Sequence, residues 1–287
     1  MTGVAPARAL RTAALAVVAL VAFAANSLLC RLALGGGQID AASFTAVRLL
    51  AGALALSLIV AATRRSRRQG RGSWSAAVML FLYAASFSFA YLSLTAGTGA
   101  LILFGAVQAT MILAGLAKGE RPRRVEWLGL LVALGGLVYL VVPGLTAPPP
   151  LGSALMAVAG IAWGFYSLRG RGAGDPVVVT RDNFLRAVPW ALGLSLLAVA
   201  RLELSWPGVF WAAVSGAITS GAGYAVWYAA LAGLTSTRAA IVQLAVPALA
   251  AAGGVIVLDE RLSWRLVLSA ALILGGVGLS LTGRQNR

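Results

Sequence analysis

An all-α membrane protein of ten transmembrane helices, arranged as two inverted five-helix repeats, is the fold class the sequence predicts. Three observations carry this. Of 287 residues, 60% are hydrophobic and 11% charged, and the mean hydropathy is +0.89; soluble domains carry about 25% charged residues. The apolar runs reach the roughly 20 residues that a helix needs to cross hydrocarbon. Short phrases of the first half recur in the second at offsets of 138 to 140 residues.

The first span, 12–33, follows Arg8 and Arg11. It is too long for the apolar core of a signal peptide and is expected to be retained. Span 42–62 ends before an Arg-rich loop, 63–73, and span 74–95 opens at Trp74. Span 98–117 stops at Lys118, and span 125–143 follows Arg124 and ends at Pro143. An uncharged stretch from Pro143 to Pro150 then divides the chain into repeats 1–146 and 147–287. The second repeat holds spans 151–168, 183–200, 207–232, 238–257 and 264–282. Its longest loop, 169–182, is too short to fold alone.

Ten spans sort the basic residues. Seventeen fall on the side of both termini, in the loops around Arg8, Arg64 to Arg71, Lys118 to Arg124, Arg169 to Arg181, Arg238 and Arg284. Four (Arg31, Arg201, Arg261, Arg265) fall on the other side, and Arg48 and Arg186 lie within spans. The positive-inside rule then puts both termini in the cytoplasm of an inner-membrane protein, bacterial by its composition. The net charge of +15 is read as contact with anionic lipid at cytoplasmic Arg residues, not as nucleic-acid binding.

The repeat rests on three phrases in order. Thr45-Ala46-Val47-Arg48 matches Asn183-Phe184-Leu185-Arg186 at 138; Gly119-Glu120-Arg121 matches Asp259-Glu260-Arg261 at 140; Leu134-Gly135-Gly136-Leu137 matches Leu274-Gly275-Gly276-Val277 at 140. Five spans is an odd number, so the second repeat enters the membrane upside down. Inverted repeats are common in secondary transporters, whose site lies near mid-membrane between the halves.

Enzyme chemistry has little to work with. There is no His, one Cys (Cys30) and one Lys (Lys118), which Gly119 follows. Catalytic triads, zinc-hydrolase motifs and a Walker A loop are thereby excluded. No catalytic, metal or cofactor site is expected. A lipid-modifying membrane enzyme would lack both His and a mid-membrane carboxylate pair.

Two five-span repeats, each with a Gly/Asp-Glu-Arg turn and a Gly-Gly helix, resemble EamA-type members of the drug/metabolite transporter superfamily. Ala162-Trp163-Gly164, and Pro247 thirteen residues before Glu260, add to the likeness. The first half departs from it at Ala25-Asn26, where Trp-Gly is usual, and at Val107-Gln108, where Pro is usual. The resemblance implies a ten-helix bundle around a central cavity and export of small metabolites, aromatic or hydrophobic amino acids first among them. The competing class is a passive channel or pore for small solutes, which would need a continuous polar path.

Polar side chains inside spans are costly. Asn26, Gln108 and Gln243 are candidate substrate amides, with interhelical hydrogen bonds as the plainer role. Tyr83, Phe87 and Tyr91 share one helix face, as do Tyr224 and Tyr228 with Trp227 beside them; Trp163 and Tyr166 lie on span 6. The candidate substrate-binding set is Gln108, Trp163, Tyr83, Trp227, Asn26, Tyr224, Tyr228 and Gln243, for an amphipathic solute with an aromatic or branched side chain. Trp74, Trp206, Trp211 and Trp264, at span ends, read as interfacial anchors. Arg48 and Arg186 either compensate a substrate carboxylate or snorkel to the interface, the favoured reading. Glu120 and Glu260 are expected to pair locally or cap helices. All eight acidic residues fall in loops or at span ends, which points to transport uncoupled from protons.

Overall fold

The computed structural model describes residues 4–63, 71–117, 124–141, 147–170, 172–234, 239, 242–243 and 245–282. Among these residues the chain forms ten helices. They are α1 (Val4–Gly35), α2 (Ala41–Ala62), α3 (Trp74–Ala90), α4 (Ala96–Ala117), α5 (Arg124–Val141), α6 (Pro150–Gly170), α7 (Pro176–Leu197), α8 (Trp206–Leu231), α9 (Ala245–Leu258) and α10 (Trp264–Thr282). Five are long and apolar enough to cross a bilayer by themselves: α1 over Leu10–Gly35, α2, α4, α6 and α8. Helices α3 and α9 are apolar but shorter. The protein is a multi-pass membrane protein, and its outer surface carries exposed apolar side chains such as Leu58, Leu196 and Ile256.

Helix α7 differs most from the sequence expectation. It begins seven residues before 183, because Asp175 caps it by accepting from the Val177 and Val178 amides at 2.9 and 3.1 Å and Pro176 opens its first turn. Arg181 and Asp182 therefore lie in the helix and are buried, not in a loop. The expectation that every acidic residue sits in a loop or at a span end is corrected here. Asp182 pairs with Arg181 at 2.6 Å and with Arg186 at 3.6 Å.

Helix α8 contains a π segment, Ser215–Ala222, between two α-helical parts, Trp206–Val214 and Gly223–Leu231. Such wide turns are rare and concentrate at functional sites. This one is packed against α2. A Cβ on Gly216 would strike the Arg48 carbonyl, and one on Gly52 would come 2.9 Å from the Gly216 oxygen. Glycine is required at both positions for the two backbones to approach this closely.

The extensive helix contacts follow a rule. Helix α2 packs on α7, α4 on α9 and α5 on α10; α3 packs on α6 as α1 packs on α8; α4 packs on α6 as α1 packs on α9. Exchanging each helix for the one five places along maps these pairings onto themselves. The paired Gly-Gly phrases take part. A Cβ on Gly136 would meet Leu272 of α10 at 2.7 Å, and one on Gly276 would meet the Gly129 oxygen of α5 at 2.6 Å. Gly160 and Gly164 likewise bring α6 against α4.

The turns knit the ends of the bundle. Ile39 and Leu204 form an antiparallel bridge, with Asp40 N bonded to Glu203 O at 3.0 Å and Ser205 N to Gln38 O at 2.9 Å. Elsewhere the chain entering α3 is held on α7: Ser73 N donates to Asn183 Oδ1 at 3.0 Å and Gly72 N to Asp182 Oδ2 at 3.4 Å. Glu260 caps α4, accepting from Ala96 N at 2.8 Å, and pairs with Arg31 at 3.4 Å. Capping and ion pairing are thus both present, but with the other repeat's residues and not with neighbouring Arg261. Glu120 lies outside the described residues.

Trp74, Trp206 and Trp264 are exposed, as befits anchors. Trp211 is half-buried and packs against Phe210, its ring centroid 4.9 Å away.

Candidate functional site

A closed aromatic and polar cluster fills the space between α1, α2, α3, α6 and α8. Its polar centre is Arg48, 1% exposed in the third turn of α2. The guanidinium donates from Nε to Ser220 Oγ at 2.8 Å, and from Nη2 to the Tyr224 hydroxyl at 2.7 Å and the Tyr83 hydroxyl at 3.2 Å. Its carbon lies 4.9 Å from the Phe87 ring centroid and 5.2 Å from that of Tyr83. These contacts to polarised hydroxyls and ring faces offset part of the desolvation of a buried cation.

Asn26 of α1 ties the cluster together. Its Nδ2 donates to the Tyr83 hydroxyl at 3.3 Å. Its Oδ1 accepts from Ser215 at 2.7 Å, Thr219 at 3.1 Å and Ser220 at 3.4 Å. All three hydroxyls belong to the π segment, whose wide turn gathers positions 215, 219 and 220 on one side chain. The Tyr224 hydroxyl reaches the Tyr83 hydroxyl at 3.1 Å, joining α8 of the second half to α3 of the first.

Trp163 roofs this centre. Its rings lie 4.6 Å from Tyr224, 5.0 Å from Tyr83, 5.4 Å from Phe23 and 5.5 Å from Tyr166. Its Nε1 donates to Gln243 Oε1 at 3.3 Å, which orients the indole. Phe23 also meets Trp227 edge-on at 5.6 Å. Tyr228 stacks on Tyr166 at 5.4 Å and donates to the Tyr166 carbonyl at 3.2 Å.

Seven of the eight candidate residues thus form one contiguous group: Asn26, Tyr83, Trp163, Tyr224, Trp227, Tyr228 and Gln243. Gln108 stands apart. It is buried in a narrow crevice between α4 and α5, lined by Gly105, Ala109, Ile112, Ala133, Leu134 and Leu137.

The sequence reading missed the centre of the group. Arg48 was expected to snorkel, yet its head is sealed among aromatic rings. The reason lies in α8: Gly216 and Gly52 let that helix close over the arginine. Ser215, Thr219 and Ser220 were also missed. Their signal was faint, since small hydroxyl residues in spans usually bond their own helix, as Thr219 also does to the Ser215 carbonyl, and it is the π turn that brings Ser220 beside Ser215 and Thr219.

The repeat partner Arg186 sits elsewhere. Its Nη1 donates to the Asp182 carbonyl at 2.9 Å, and its carbon lies 5.8 Å from the Trp74 ring. It lines an open cleft of about 410 Å³ with Arg71, Trp74, Asp182, Leu185 and Pro189. Among the described residues no cluster of His, Cys, Asp or Glu could hold a metal ion.

Comparison with known proteins agrees with this architecture. The model of the EamA-like transporter family matches twice, over residues 10–142 and 150–282. An uncharacterized protein of Pseudomonas aeruginosa is 52% identical over 277 residues, 96% of each chain. An uncharacterized transporter of Archaeoglobus fulgidus is 28% identical over 210 residues, 68% of this chain and 70% of that one. A crystal structure with 20% identity superposes with a TM-score of 0.67, covering 95% of this chain and 99% of the other, a likeness of fold alone. Two family domains in tandem, filling a multi-pass helical bundle, make this chain a member of the EamA-like transporter family.

Proposed function

We propose that the chain is a secondary carrier that exports small metabolites across the bacterial inner membrane, aromatic or hydrophobic amino acids foremost, by alternating access. The two family domains would be inverted repeats, 1–146 and 147–287, with both termini in the cytoplasm. The substrate would sit between them, near mid-membrane. One observation carries the reading: side chains of both halves converge on a single buried centre, with Tyr83 and Tyr224 bonded to each other across it. A packed aromatic centre fits a carrier that re-forms around its substrate better than a pore with a standing polar path. The rings offer stacking surface to an apolar body, and the amides and hydroxyls offer bonds to a polar head. No cofactor is called for. The cytoplasmic Arg residues would contact anionic lipid, and the chain would not bind nucleic acid.

Counterflow in proteoliposomes tests this. Labelled substrate should accumulate transiently when unlabelled substrate is preloaded, and uptake should saturate. Linear, non-saturating flux with no trans-stimulation would instead identify a passive pore. A C-terminal alkaline phosphatase fusion should be inactive; activity outside the cytoplasm would overturn the topology.

A further inference from the structure

We propose that Arg48 is the anchor for a carboxylate, and that the centre it governs selects organic anions with an apolar body over amines of the same shape. This rests on the carrier reading above and names the substrate class for the same site.

The case is a count of donors, acceptors and charge. A guanidinium carries five N–H groups. Arg48 commits one from Nε and two from Nη2, all to neutral hydroxyls. Nη1 is buried and bonds to nothing among the described residues. The two tyrosines add a further donor. Tyr83 and Tyr224 share one hydrogen bond, and both accept from Arg48. Whichever phenol donates to the other, one proton is left over. The two amide oxygens at the centre are already engaged: Asn26 Oδ1 faces the hydroxyls of Ser215, Thr219 and Ser220, and Gln243 Oε1 receives Trp163. Trp227 Nε1, also buried against Phe23, has no partner among the described residues.

The cluster therefore has surplus donors, one fixed positive charge, and no carboxylate bonded to it among the described residues. Buried cations without a counter-ion are costly. A bound carboxylate supplies what is missing: two acceptor oxygens and one negative charge. It would take the Nη1 hydrogens and, by displacing the Tyr83 hydroxyl at 3.2 Å, a second bond from Nη2 in the end-on fork. The rings of Trp163, Phe23 and Phe87 would receive the apolar body. An ammonium group finds no charge partner there and meets the like charge of Arg48, so it is dispensable in a ligand and unfavourable alone.

Matched probes test this on the purified full chain in detergent, read by thermal unfolding. Phenylpropionate and phenethylamine share a ring and size and differ in the charged head; phenylalanine carries both heads. Phenylpropionate and phenylalanine should raise the melting temperature at millimolar concentration, and phenethylamine should not. Arg48→Gln should weaken phenylpropionate at least about 10-fold, the size of a charge-assisted hydrogen bond. Arg48→Lys, which keeps the charge but not the fork, should fall between. Equal stabilisation by the amine, or none by phenylpropionate, in the wild-type chain would overturn the proposal even if the Arg48 variants failed to fold. Stabilisation by phenylpropionate without counterflow would leave the anion site standing and remove the carrier reading. Counterflow of amines with no carboxylate binding would do the reverse.

Discussion

Arg48 and Arg186 occupy equivalent places in the two repeats, 138 residues apart, yet one is sealed among aromatic rings and the other opens on a cleft. The difference comes from the residue one turn further along each helix. In α2 it is Gly52, over which the α8 backbone passes within contact of Gly216. In α7 it is Trp190, whose ring packs on Trp74 and Phe81 at 5.6 and 6.0 Å. Glycine lets the neighbouring helix close over the arginine; tryptophan fills the same space and holds it off. Arg186 also has Asp182 one turn before it, whereas the equivalent of that position in α2 is Phe44. One arginine is thus paired at the edge, and the other is held in reserve at the centre.

Substitutions should separate the two sites, in decreasing order of effect. Arg48→Gln should lower apparent substrate affinity in counterflow by about 10- to 150-fold, the range for a lost hydrogen bond to a charged partner. Wild-type affinity in that variant would place the substrate elsewhere. Gly52→Leu should collide with Phe184 of α7 and with the Gly216 carbonyl of α8 and cost about 1–3 kcal/mol by overpacking, seen as a lower melting temperature together with impaired transport. Unchanged melting would mean that the packing of α2 against α7 and α8 around Gly52 is looser than the structure has it. Arg186→Gln removes a partly exposed pair worth about 0–1 kcal/mol, so transport should change less than about 5-fold. Gln108→Ala, in its separate crevice, and Trp264→Ala, at an exposed helix end, should transport almost normally at normal membrane abundance. A pH gradient imposed across proteoliposomes should alter initial flux little, because the cluster has no carboxylate bonded to it among the described residues. Strong acceleration that Asp182→Asn abolishes would instead make the edge pair a proton site.

The ten helices, their order and the duplication were legible in the sequence because apolar length and repeated phrases are local signals. The aromatic residues that the structure clusters were legible too. Tyr83 and Tyr224 recur on their helix faces with the right period, and Trp163 lies too deep in its span to be an anchor. What stayed hidden depends on helix crossing. The burial of Arg48 is set by glycines on two helices far apart in the chain. The role of Ser215, Thr219 and Ser220 is set by a π turn that no local propensity announces. The early start of α7 was hidden for a different reason. Its first turns carry Arg181 and Asp182, which read as loop residues until each is seen to neutralise the other.

The contrast between the two arginines is tested most directly by substrate affinity in counterflow for Arg48→Lys beside Arg186→Lys. Both keep the positive charge and lose the planar fork. The Arg48 variant should raise the KM of a carboxylate substrate severalfold or more, while the Arg186 variant leaves it near wild type. Equal effects, or a larger effect at Arg186, would contradict a carboxylate anchor at Arg48 and shift the site to the open cleft.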